Sequence, residues 1–260
     1  MASRGIASYN EPERTPPTKK SMPTRFVQGF RELLTEALST EDPASGKKLN
    51  KCIGVYAFYD YDGEPIYVGQ TWEDFGTRIG RHLRGQRSDT LAYRILDPFE
   101  VAEFELYPVE DLRTDPEKKA KLDAIEYSVY VNAIKNSKYQ AILNEKIPPV
   151  STPVALPASF RFGLVPADMR EDREHPDVRI ARRAETLSRV AAVAHERGEV
   201  SAGLRRVIVI QAVRLADLAA ARLAYAEGRA RPAPEAIDVP ALVGNVMAEF
   251  SADGESDESS

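Results

Sequence analysis

The sequence predicts a mixed α/β (α+β) protein, with a small three-stranded antiparallel sheet flanked by helices over residues 52–148 and a mostly α-helical module after it. Three observations carry that expectation. Two runs of valine, isoleucine and aromatic residues flank turn chemistry in "GVYAFYDYDGEPIYVG" (54–69), which reads as a β-hairpin. Long stretches beyond residue 177 place apolar residues at alternating spacings of three and four, the period of an amphipathic helix. Between them lies "IPPVSTPVALP" (147–157), and no lysine follows Lys146 although arginine continues, so a boundary falls there.

Residues 1–20 ("NEPERTPPTKK" and its neighbours) are polar and proline-bearing, and a disordered arm is expected. An N-terminal helix and linker occupy 21–51. "PTRFVQGFRELLTEAL" (23–38) carries Phe26, Phe30, Leu33, Leu34 and Leu38 at helical spacing behind Thr24 as a cap, and 39–51 reads as a polar loop. Within 52–148 the hairpin is followed by a helix in "TWEDFGTRIGRHLRG" (71–85), with Thr71 as its cap and Phe75 and Ile79 inward. "VAEFELYPV" (101–109) alternates like a third strand, and "DPEKKAKLDAIEYSVYVNAI" (115–134) is a second helix. A proline-rich linker is expected over 149–168.

The module at 169–250 reads as an αα-hairpin. Its first helix lines up Ile180, Ala184, Leu187, Ala191 and Ala194 and stops at Gly198. Ser201 caps the second, which lines up Leu204, Ile208, Ala212, Leu215 and Ala219 as far as Gly228. A short third helix is expected within 239–250, and 251–260 is an acidic tail expected to be disordered.

Composition narrows the function classes. A net charge of −5 gives no global attraction to nucleic acid, so a polyanion would need a local basic patch. One cysteine excludes an intrachain disulfide and a cysteine zinc site, and three scattered histidines argue against a histidine-rich metal site. No window approaches the ~20 apolar residues of a membrane span and no signal-peptide core opens the chain, so a cytoplasmic protein without membrane contact is expected.

The residues that can carry chemistry lie in 52–148. Tyr56 and Tyr67 each stand two positions from a glycine in the two halves of the hairpin. Arg78 and His82 are four apart and share a helix face, with Arg81, Arg84 and Arg87 adding charge nearby. Glu126 sits among Leu122, Ile125, Val129, Tyr130 and Ala133, where a carboxylate is costly to bury without a cation or metal. Asn144 follows that helix. Taken singly each has an ordinary reading: strand tyrosines pack, and helix arginines and glutamates are solvated.

Jointly, the stretch resembles the GIY-YIG nuclease superfamily. "GVY" (54–56) and "YVG" (67–69) stand for its two signatures, with ten residues between the tyrosines. Arg78 with His82 one turn later, Glu126 on a later helix and Asn144 after it complete the pattern. Arg78 lies nine residues beyond Gly69, one more than the family spacing, which leaves Arg81 as the alternative arginine.

The resemblance implies a metal-dependent DNA endonuclease. Tyr56 would orient and deprotonate the attacking water, supported by Tyr67, and His82 would position or exchange a proton. Arg78 would pair with the non-bridging phosphate oxygens, Glu126 would hold one Mg²⁺ or Mn²⁺, and Asn144, Arg81, Arg84 and Arg87 would contact DNA. The rival reading is a non-catalytic DNA-binding or scaffold protein that keeps the fold. The helical module has no family support. Its unspent apolar surface, "VIVI" (207–210) included, leads to an expected homodimer through residues 177–228.

Overall fold

The computed structural model describes residues 23–83 and 95–248. Arg84, Arg87, the 1–20 arm and the acidic tail therefore lie outside the described residues. Helix α1 (Arg25–Ser39) starts where Thr24 accepts a hydrogen bond from the Val27 N–H, and it buries Phe26, Phe30, Leu34 and Leu38. Phe26 and Phe30 meet Phe99 edge-on, with ring centroids 5.4 and 5.9 Å away. The stretch read as a polar loop holds a minimal hairpin, β1 (Glu41–Asp42) with β2 (Lys47–Lys48). The Asp42 carboxylate accepts from the backbone of Ala44 and Ser45 and so shapes its turn.

The main sheet is built from β3 (Gly54–Tyr59), β4 (Pro65–Thr71), β5 (Glu103–Pro108) and β6 (Phe160–Gly163), all antiparallel, in the order β4-β3-β5-β6. The three expected strands are there. A fourth comes from the stretch read as linker, where "FRF" pairs with β5 and stacks Phe162 on Phe104 at 5.5 Å. Every residue of β3 is buried, as befits the strand with a neighbour on each side. Gly54 opens it because the backbone of β5 passes too close for a side chain: a Cβ there would lie 2.1 Å from the Tyr107 carbonyl oxygen.

Helix α2 (Phe75–Leu83) begins later than expected. Thr71 does not cap it, because Thr71 is the last rung of β4, opposite Gly54. Asp74 does so instead, its Oδ1 accepting from the Thr77 N–H at 2.6 Å. Helix α3 (Lys118–Asn136) packs against β4 and β3.

In the C-terminal module, α4 (Arg170–Glu174) leads into α5 (Pro176–Arg197), Gly198 ends α5 at φ +71°, and Ser201 caps α6 (Ala202–Ala226) by accepting from the Leu204 N–H. A short α7 (Val239–Val243) follows. The helices fall as expected, but their buried faces do not. Helix α5 buries Arg179, Arg183, Thr186, Val190 and Val193, and leaves Ala184 and Ala191 exposed. Helix α6 buries Val207, Ile210, Gln211, Arg214 and Asp217, and leaves Ala212 and Ala219 exposed.

The inward face is thus rotated by about one residue, because arginines are drawn inside by carboxylates of the sheet domain. Asp60 Oδ2, in the β3–β4 turn, meets Arg214 at 2.7 Å, Arg183 at 2.9 Å and Arg179 at 3.3 Å. Glu100 adds a bond to Arg183 at 3.1 Å, and Asp62 takes both terminal nitrogens of Arg179 at 2.9 and 3.1 Å. The face that meets the sheet domain of the same chain is this arginine-bearing one, and one continuous core joins them.

Candidate active site

Tyr56 and Phe58 project from one face of β3, and Phe58 stands opposite Tyr67 on β4. His82, on the last turn of α2, closes the group. Tyr56, Tyr67 and His82 have ring centroids 5.8 to 6.2 Å apart, and Phe58 lies about as close to each of the last two. Phe58, for which the sequence offered no role, is the apolar floor beneath this cluster. Tyr59 faces the other way and donates to Glu105 at 2.6 Å.

The glycine of "YVG" has a direct steric reason. Gly69 is the register partner of Tyr56, and a Cβ at 69 would lie 2.6 Å from the Tyr56 hydroxyl oxygen. The tyrosine can lie across β4 only because nothing protrudes there.

Tyr56 is wholly buried. Its hydroxyl lies 2.9 Å from His82 Nε2 and accepts from Arg78 Nε at 3.2 Å. Burial pushes the phenol above its ordinary range, and the Arg78 charge with hydrogen bonds from Arg78 and Tyr67 offsets part of this. His82 is pushed down to about 4, by burial first and then by the positive charges of Arg78 and Arg81. It is therefore neutral near pH 7 and can accept on one ring nitrogen. Arg81 itself is paired with Glu73 at 2.6 Å, so the arginine that reaches Tyr56 is Arg78.

In front of this group opens a cleft of about 610 Å³, lined by Tyr67, Gly69, Gln70, Arg78, His82 and Glu126, with Leu96 and Lys146 among the residues completing it. Tyr56 is hydrogen-bonded to three of the lining residues, Tyr67, Arg78 and His82, without lining the cleft itself. Glu126 is buried on α3 and its carboxyl is pushed up to about 7, by burial first and then by the neighbouring Asp123; Arg78 and hydrogen bonds from Gln70 act the other way. Gln70 also donates from Nε2 to Asp123 at 2.8 Å. Among the described residues no group of three or more His, Cys, Asp and Glu gathers into a metal cluster, and no helix is long and apolar enough to cross a membrane.

Asn144 belongs to the architecture of the site. It is buried, its Oδ1 accepts from the Val68 N–H at 3.0 Å, and its Nδ2 donates to the Val68 carbonyl at 2.8 Å. With the Leu143 N–H on the Ile66 carbonyl at 2.8 Å, this segment supplies the pairing that the open edge of β4 lacks. The amide thus fixes the strand that carries Tyr67 and Gly69. Gln70 and Lys146 are cleft residues that the sequence reading passed over; the available signals were adjacency to "YVG" and to Asn144.

Residues 52–124 match the sequence model of the GIY-YIG catalytic domain, a span that holds both tyrosines, Arg78 and His82 and ends two residues before Glu126. The chain carries a catalytic domain of the GIY-YIG nuclease superfamily, whose members are endonucleases. No curated protein and no solved structure matches the chain.

Proposed function

We propose that this protein is a metal-dependent DNA endonuclease that hydrolyses phosphodiester bonds in the cleft between α2, β4 and α3. The observation that carries the reading is the Tyr56 hydroxyl, held between Arg78 Nε and His82 Nε2 directly behind a cleft that Glu126 lines. Arg78 can only donate, so the Tyr56 oxygen accepts from it, and the phenol proton is directed at the neutral His82. As water attacks phosphorus, its proton passes to the Tyr67 hydroxyl on the cleft wall, Tyr67 hands its own to the Tyr56 oxygen to which it is hydrogen-bonded, and Tyr56 hands its own to His82 Nε2. Tyr67, on the cleft wall, helps to orient that water.

With His82 held near 4, this transfer is uphill in the free protein. The depression comes partly from Arg78 and Arg81, and a DNA phosphate beside them would offset both charges and raise His82 as substrate binds. The Arg78 guanidinium suits the non-bridging oxygens, where charge grows in the transition state.

Glu126 fits a hard divalent cation such as Mg²⁺ or Mn²⁺: it is a cleft-lining carboxylate whose ionised form is only partly compensated, by Arg78 and Gln70, in the folded protein. It would supply one carboxylate, with waters and phosphate oxygens completing the shell. A cation bound there supplies positive charge to the phosphate and to the leaving 3′ oxygen.

Supercoiled plasmid tests the reading. Nicking should require Mg²⁺ or Mn²⁺, stop with chelator, fall as the pH drops below about 7, where Glu126 takes up a proton, and disappear in Glu126→Ala. Full-rate cleavage by that variant would refute it.

A further inference from the structure

The chain has a single tryptophan, Trp72, and it is left 38% exposed just beyond the end of β4. Its position relates it to the cleft in two ways. Gln70, which lines the cleft, is two residues earlier on extended chain, roughly 7 Å away. On the facing helix, Lys118 Nζ lies 6.0 Å from the Trp72 ring centroid, and Lys118 is eight residues before Glu126, about 12 Å along the helix axis.

Lys118 is exposed, so the ring is bordered by one cationic side chain. Glu73, next to Trp72 in the chain, is paired with Arg81 at 2.6 Å. A flat apolar ring with a cation at its border matches a nucleobase on a phosphate strand: the base stacks and the lysine takes a phosphate. At about 3.4 Å per nucleotide of a stacked strand, 7 to 12 Å is two to four nucleotides from the cleft. Bases in a duplex are stacked on one another and cannot lie on a protein ring, so the base concerned must be unpaired.

Resting on the nuclease reading above, we infer that Trp72 with Lys118 is a stacking platform for an unpaired base of the DNA substrate. The cleft then takes single-stranded or splayed DNA beside the cut in preference to intact duplex.

Because Trp72 is the only tryptophan, its emission reports on this site independently of cleavage. The wild-type protein in chelator is titrated with a short single-stranded oligonucleotide and with the matching blunt duplex, binding being recorded by the anisotropy of a labelled strand. The single strand should quench Trp72 and the duplex should not. Trp72→Ala should weaken single-strand binding about tenfold and leave duplex binding within about twofold, while Trp72→Phe retains most of the preference. Single-strand binding with Trp72 emission unchanged, or a Trp72→Ala variant with the wild-type preference, overturns the platform and leaves the nuclease reading standing. A wild-type protein that binds neither oligonucleotide overturns both.

Discussion

At its turn, the β3–β4 hairpin places Asp60 out of water and surrounds its carboxylate with Arg179, Arg183 and Arg214, all within 3.3 Å. Further along, the same hairpin borders buried ionisable groups that are left without such company. Glu126 is pushed up to about 7 and His82 down to about 4, burial being the leading cause for both. In the first region opposite charges are in direct contact, burial still lowering the pKa of Arg214 and raising that of Glu100, and the result is a fastening between helical module and sheet. In the second desolvation is left partly unmet, which leaves proton affinities shifted and a carboxylate that would gain from a cation. Burial alone therefore does not mark a reactive group; burial without a matched partner does.

The largest effect should come from breaking the matched region. Asp60→Asn keeps an acceptor for the turn, where Asp60 Oδ1 takes the N–H groups of Asp62 and Glu64, but removes the charge facing three buried guanidiniums. Removing one partner of such a buried group costs about 3–5 kcal/mol. Urea denaturation should show that loss, and hydrogen exchange should show α5 and α6 opening first. A loss below about 1 kcal/mol would mean that apolar packing, not the ionic cluster, fastens the module.

The unmatched region should respond with the opposite sign and a smaller size. Glu126 has its folded pKa near 7 against an ordinary 4.5, so the folded state holds a proton that the unfolded state has already released between those values. Stability from this group is present at low pH and is lost as the pH rises through 7. Without metal, Glu126→Gln should stabilise the protein by about 1–3 kcal/mol above pH about 8, with the gain vanishing near pH about 5. Equal stability of wild type and variant at both pH values would show that Glu126 is not strained by burial.

The two regions also differed in how far the sequence disclosed them. Tyr56, Tyr67, Arg78 and His82 were legible because strand register and one helical turn bring them together, and local spacing is what a sequence records. The ionic cluster was not legible. Arg179, Arg183 and Arg214 read only as structural or surface residues, since nothing along α5 or α6 announces that their partners are Asp60 and Glu100, more than seventy residues away in the chain. The same long-range pairing displaced the predicted apolar stripes by one position. Strand β6 was hidden for a similar reason: four residues after a proline-rich stretch carry too little pattern, and it is β5 that makes them a strand. Asn144 was picked out by order alone, and its attachment to Val68 could be seen only with β4 as an edge strand.

In the proposed mechanism the hydroxyl held between Arg78 and His82 takes part in the chemistry, whereas the buried hydroxyl three residues on belongs to the scaffold. Single-turnover cleavage by Tyr56→Phe and Tyr59→Phe, compared side by side at saturating DNA, tests it most directly. Tyr56→Phe should fold and bind DNA as wild type but cleave about 10²–10⁴-fold more slowly. Tyr59→Phe, which loses its bonds to Glu105 and Tyr107 on the far side of the sheet, should cleave within a few-fold, about the wild-type rate. Equal rates for the two variants would contradict the assignment.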